Sequence, residues 1–200
     1  MPNVTAATTH PGWLRITHWL NALAALIMVF SGWRIYNASP LFAFKFPDSL
    51  TMGGWLGGAL QWHFAAMWLL FFNGLLYLAI NVLSGRLRRQ FFPLSVRGFF
   101  ADLGSALRGK LAHEDLARYN TVQKFAYLFV IVDTVLLVVS GLAIWKSVQF
   151  PWLRELMGGY DNARVVHFLA MTALALFVVV HVVMVALVPR TFVAMLRGRA

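Results

Sequence analysis

The chain has 200 residues, 60% of them hydrophobic and only 12% charged, with a net charge of +10. Soluble domains run near half apolar and a quarter charged, so one compact unit embedded in lipid is expected. With no cysteine, the chain excludes disulfides, iron–sulfur clusters, thiolate zinc sites and covalent c-type haem attachment, and metal chemistry falls to the six histidines.

A bilayer core of about 30 Å takes roughly 20 apolar helical residues. Four runs qualify: Ile16–Tyr36, Trp62–Ser84, Val122–Trp145 and Arg164–Val188. They are too long and too continuously apolar for barrel strands. The first run is aromatic-rich and has no small-residue cleavage site, so it is expected to stay as an anchor. Between it and the second run lies Asn37–Gln61, with Phe42, Phe44, Phe46 and Trp55. That segment, with Phe150–Tyr160, is expected to form a docking surface on one side of the membrane. The second and third runs are separated by Arg86, Arg88, Arg89, Arg97, Arg108, Lys110 and Arg118; the tail holds Arg190, Arg197 and Arg199, and Arg15 precedes the first run. Positive residues stay on the cytoplasmic side, which places both termini and the middle loop there. The charge is thus a topology signal and an anionic-lipid contact, and nucleic-acid binding is a poor reading. In the middle loop Val96, Phe99, Phe100, Leu103, Leu107 and Leu111 recur at helical spacing. They predict an amphipathic helix that lies on the cytoplasmic leaflet or covers the bundle. The fold expected is an all-α integral membrane protein, a four-helix transmembrane bundle. No internal repeat is evident.

The fourth run carries His167 and His181, 14 positions apart. Those positions span about 21 Å of helix and just under four turns, so both rings project to nearly one face, one near each membrane surface. The topology supplies a partner at each depth. His18, at the cytoplasmic start of the first run, is level with His181. His63, at the periplasmic start of the second, is level with His167. A flat apolar prosthetic group held between two imidazoles is haem b, and four histidines at two depths predict two of them. Zinc is a poorer fit, because two histidines without carboxylates or thiolates leave its ligand set incomplete. Gly32 and Gly74 face inward at haem depth and would let a porphyrin edge approach; small-residue helix packing is the plainer explanation. Arg34 and Arg164 on the periplasmic side, and Arg15, Lys124 and Arg190 on the cytoplasmic side, are candidates for the haem propionates or are snorkelling anchors. Asp133 falls about 16 Å into the third run, near the midplane. An acid there is costly; it relays protons, or it is neutral and hydrogen-bonded to Asn73 or a backbone carbonyl. His10 and His113 are read as solvated.

RITHWLNA at Arg15–Ala22, QWHF at Gln61–Phe64, RYNTVQK at Arg118–Lys124 and the spaced histidine pair of the fourth run resemble the bacterial di-haem b-type cytochromes, cytochrome b561-like. That family includes the membrane subunits of nickel–iron hydrogenase and formate dehydrogenase. The resemblance implies haem ligation by His18 with His181 and His63 with His167, and electron transfer between the quinone pool and a catalytic subunit across the inner membrane. It also implies quinone contact by Asn120, Gln123 and Lys124, although Val122 replaces a glycine of the family's motif. A narrower likeness, in NALAALIMVFSGWRIYNASP and GGYDNARVVHFLAM, is to cytochromes that accompany periplasmic molybdopterin oxidoreductases. A second copy of the chain is a further candidate partner. The rival readings are a self-contained membrane oxidoreductase acting on quinone and a small oxidant such as superoxide, and a small transporter or proton channel.

Overall fold

The computed structural model describes residues 10–108 and 120–198. Expectations placed on Lys110, Leu111, His113, Arg118, Tyr119 and Arg199, and on the side chain of Leu107, lie outside the described residues. The helices in chain order are α1 (Gly12–Ala38), α2 (Leu56–Leu83), α3 (Arg86–Phe91), α4 (Val96–Leu107), α5 (Thr121–Trp145), α6 (Pro151–Leu156), α7 (Tyr160–Leu187) and α8 (Pro189–Arg197), with one 3-10 turn at Asp48–Leu50. There is no strand among the described residues.

In lipid every backbone N–H and C=O must be satisfied within its own segment, which a helix achieves. Accordingly α1, α2, α5 and α7 are each long and apolar enough to cross a membrane. They contain nearly all of the expected spans and run past them at several ends. α7 begins four residues early because Asp161 and Asn162, too polar for an apolar run, suit a helix's first turn. α2 begins at Leu56, ahead of its apolar run, although Gly57 and Gly58 weaken a helix.

The chain divides into two compact units, residues 1–89 with 193–200 and residues 90–192. In the first, α1 and α2 form a hairpin whose fully buried Ala24 and Ala59, with Ala66, allow close packing. Asn73 ties the pair polar-to-polar: its Nδ2 donates to Thr17 O and Asn21 Oδ1, both at 2.7 Å. The aromatic segment folds back on the end of α1. Trp33 stacks on Phe46 at 4.6 Å, Tyr36 on Phe44 at 5.3 Å, and Asn37 pairs with the backbone of Phe46 in both directions. These rings hold each other, while Phe42, Phe44 and Trp55 keep large exposed faces.

The second unit joins α5 to α7 through α6, around Ala143, Leu153 and Ala163. The α6–α7 corner needs two glycines in succession, Gly158 at φ 79° and Gly159 at φ 98°. α5 starts at a capping box, with Asn120 Oδ1 accepting from Gln123 N and Gln123 Oε1 accepting from Asn120 N. The amphipathic segment is α4, which sits on that start: Phe99 meets Phe125 at 5.1 Å and Asp102 Oδ2 accepts from Thr121 N at 2.7 Å. It covers α5 with one face and leaves Val96 and Phe100 exposed on the other.

The solvated reading of His10 is overturned. Its Nδ1 is buried without a hydrogen-bond partner, and its carbonyl lies beside Gly198 at the end of α8. Burial, then the charges of Arg86 and Arg15, hold the imidazole below its ordinary value of 6.5. The unfolded chain therefore takes up a proton at His10 before the folded one does, and stability falls as pH drops below the unfolded value. His10→Gln should flatten the acid limb of Tm against pH in detergent between about pH 7 and pH 5; an unchanged limb would show that other groups carry it.

Candidate functional site

His63 is the eighth residue of α2. Its ring faces α1, where Ser31 Oγ lies 3.1 Å from Nδ1. The serine hydroxyl has one proton, and it goes elsewhere: Oγ donates to Ile27 O at 2.6 Å, one turn back on its own helix. A second carbonyl, Met28 O, lies at 3.3 Å. Carbonyls only accept, so toward the ring Ser31 can only accept as well. A proton on His63 Nδ1 suits that arrangement, with the Met28 carbonyl a second acceptor for the ring, and leaves the lone pair at Nε2. The next residue, Gly32, lies against the same ring; a Cβ there would stand 3.6 Å from His63 Cε1.

The second unit repeats this arrangement. His167 is the eighth residue of α7, and Ser140 Oγ on α5 lies 3.0 Å from its Nδ1. Ser140 donates to Leu136 O at 2.7 Å, with Leu137 O at 3.3 Å. Gly141 follows, and a Cβ there would stand 3.3 Å from His167 Cε1. Both serines are the twentieth residue of their helix and both are fully buried. The sequence around each histidine also matches, His-Phe-Ala-Ala-Met at 63–67 and His-Phe-Leu-Ala-Met at 167–171. The two units thus share a local pattern, confined to two dipeptides and two pentapeptides within otherwise different apolar helices. Ser31, Ser140 and Gly141 were missed with it; the twice-occurring Ser-Gly inside an apolar run was the available signal.

The other two expected ligands have aromatic neighbours. His18 meets Trp19 edge-on at 5.3 Å, and His181 stacks on Phe177 at 5.8 Å. Several candidates turn out to have structural duties. Arg15 Nε donates to Met195 O at 3.1 Å, and its guanidinium also reaches Leu196 O, closing the end of α8. Arg34 pairs with Asp48, and Arg164 lies 3.9 Å from Asp161. Lys124 Nζ donates to Pro93 O at 3.4 Å. Gly74 has no neighbour within 4 Å of a built Cβ, and Arg190 is exposed. Asp133 is buried and its Oδ2 has no hydrogen-bond partner. Within its own unit Asn73 Nδ2 donates to Thr17 O and Asn21 Oδ1.

A family model for prokaryotic cytochrome b561 matches residues 9–198. The chain belongs to the prokaryotic cytochrome b561 family. It is 65% identical to a putative protein-methionine-sulfoxide reductase subunit, YedZ1, of Azospira oryzae, over 94% of this chain and 96% of that one. It is 26% identical to a probable Ni/Fe-hydrogenase B-type cytochrome subunit of Azotobacter chroococcum, over 91% of this chain and 81% of the relative. A corresponding subunit of Azotobacter vinelandii is 27% identical over 89% and 79%. No solved structure matches. Membership makes the chain a membrane b-type cytochrome that transfers electrons, and the transporter reading falls.

The residues fit a b-type haem. Among the described residues no group of three or more His, Cys, Asp or Glu is placed to hold a bare metal ion. Iron already held by a porphyrin needs only axial ligands, which lone imidazoles supply. The serines favour a lone pair on Nε2 of two such imidazoles, and glycines lie beside both rings. Gly141→Ala, at 3.3 Å, should displace the His167 ring and lower haem retained per chain, whereas Gly32→Ala, at 3.6 Å, makes an ordinary contact and should retain it; haemochrome assay of both variants checks the difference.

Proposed function

We propose that this chain is the membrane electron-transfer subunit of a two-part reductase in a bacterial inner membrane, with both termini cytoplasmic. It carries two haems b, one held by His63 and His167 toward the periplasmic side and one by His18 and His181 toward the cytoplasm. The observation that carries the reading is the matched seating of His63 and His167, each on a Ser-Gly pair of its own unit. The pairing itself rests on span depth and on that match. Haem cycles between ferric and ferrous iron when bound, one electron at a time. Two imidazoles per haem, supplied by these four histidines, would leave oxygen and small oxidants no place to bind, which argues against the self-contained oxidoreductase. The relatives are named as subunits of reductase and hydrogenase systems, and a catalytic partner follows from that.

For the partner, the 65% identical relative points to a protein-methionine-sulfoxide reductase. The earlier likeness makes it a periplasmic molybdopterin oxidoreductase. The chemistry balances: a sulfoxide takes two electrons and two protons to give a thioether and water, and a quinol releases two of each on becoming a quinone. Electrons then run from quinol to partner. The exposed faces of Phe42, Phe44, Trp55, Phe150 and Trp152 supply apolar area for docking. Arg34 and Arg164 on one side, and Arg15 and Arg190 on the other, are the propionate candidates, a role that Arg15, Arg34 and Arg164 would share with the contacts described above. Quinone is assigned to Asn120, Gln123 and Lys124, whose N–H donors suit its carbonyls. Asp133, a buried carboxyl with an oxygen lacking a hydrogen-bond partner, is assigned to proton transfer.

Haemochrome assay should give two haems b per chain. Alanine at His18 or His181 should remove one and alanine at His63 or His167 the other; any different grouping breaks the pairing. Asn120→Asp keeps the capping oxygen but loses the amide donor. It should leave Tm unchanged while slowing haem reduction by quinol, whereas Asn120→Ala should also cost about 1 kcal/mol of stability. Equal quinol kinetics in wild type and Asn120→Asp would remove Asn120 from the quinone site. Asp133→Asn should abolish quinol-linked turnover, and unchanged turnover would reject the relay.

A further inference from the structure

We infer that Ser31 and Ser140 are positioning residues for the haem ligands His63 and His167, fixing their tautomer and raising their donor strength so as to lower the reduction potential of that one haem. The inference rests on the two-haem reading.

The geometry is specific. In each unit the hydroxyl proton is committed to the carbonyl one turn back, at 2.6 Å for Ser31 and 2.7 Å for Ser140. A hydroxyl that donates becomes a better acceptor, because successive hydrogen bonds polarise one another. It faces imidazole Nδ1 at 3.1 and 3.0 Å. Ligating histidines generally donate their other ring N–H to a fixed acceptor, which orients the ring and makes the ligating nitrogen more basic. A more electron-rich Nε2 favours ferric over ferrous iron. The bond also holds each ring against rotation, with Gly32 and Gly141 lying against it. Helix packing alone does not require the arrangement, since an alanine would fill either buried serine position and leave no polar atom there. Yet it occurs twice, at the same position of two helices of different sequence. The serines face His63 and His167, so their effect falls on the haem those two ligands hold.

The test is a spectroelectrochemical titration of the purified full-length protein with its haem content measured alongside. Ser31→Ala and Ser140→Ala should each raise one of the two midpoint potentials and leave the other in place. At a fixed ambient potential near that midpoint, each should lower the ferric-to-ferrous ratio about fivefold, the size expected for one lost hydrogen bond. The double variant should shift further. Ser→Cys, nearly the same size but a weaker acceptor, should shift the same haem in the same direction. Ser→Thr, which keeps the hydroxyl and its bond to the preceding turn, should restore the wild-type value. Unchanged potentials in the alanine variants overturn the inference, as does an equal shift of both haems. If an alanine variant loses haem, the comparison of Cys with Thr decides: a shift in Cys alone supports the role, and identical potentials reject it. Haem content of the wild type and of the histidine variants reports separately on the two-haem reading.

Discussion

A serine hydroxyl has a single proton, and in both units of this protein it is given to the serine's own helix. Everything at the candidate site depends on that. Once Ser31 has donated to Ile27 O and Ser140 to Leu136 O, each oxygen can only accept from the imidazole it faces. That arrangement favours a proton on Nδ1 of each histidine and a lone pair on Nε2. In water such tautomers interconvert freely. Between packed apolar helices there is no solvent to rescue the wrong one, and an unsatisfied polar group there is costly. Two weak back-bonds, each of a kind that slightly disfavours a helix, thus leave two hydroxyl oxygens facing imidazoles.

Around these points the fold is economical with polar groups. The capping box of Asn120 and Gln123, together with Asp102, satisfies the exposed N–H groups at the start of α5. Arg15 satisfies carbonyls at the end of α8. Asn73 binds α2 to the backbone of α1. Most polar side chains placed in or beside the apolar helices close a backbone group or a neighbour, as a lipid-embedded chain requires. Asp133 departs from that pattern, with a buried oxygen and no partner. That departure, more than the mere presence of an acid, is what supports the proposed role in proton transfer.

The aromatic segment after α1 shows how one composition serves two ends. Trp33, Tyr36 and Phe46 pack into a small core of their own, which the aromatic count could not distinguish from a wholly exposed surface. Phe42 and Phe44 join the stack through one face and present the other outward. An organised apolar platform of this kind costs little entropy to bind against, because its side chains are already held.

Apolar run length and a fixed rise per residue were enough to read the four spans and the helical class from the chain alone. His63 and His167 were legible for that reason. Contacts between helices were not legible there: Ser31 and Ser140 facing the imidazoles, Gly141 beside His167, Asn73 with Thr17, and the buried Nδ1 of His10. These depend on how one helix is rotated against another. A small serine in an apolar run has the same spacing whether it faces lipid, packing or an imidazole, and rotation is set by the summed fit of many side chains that no single position encodes.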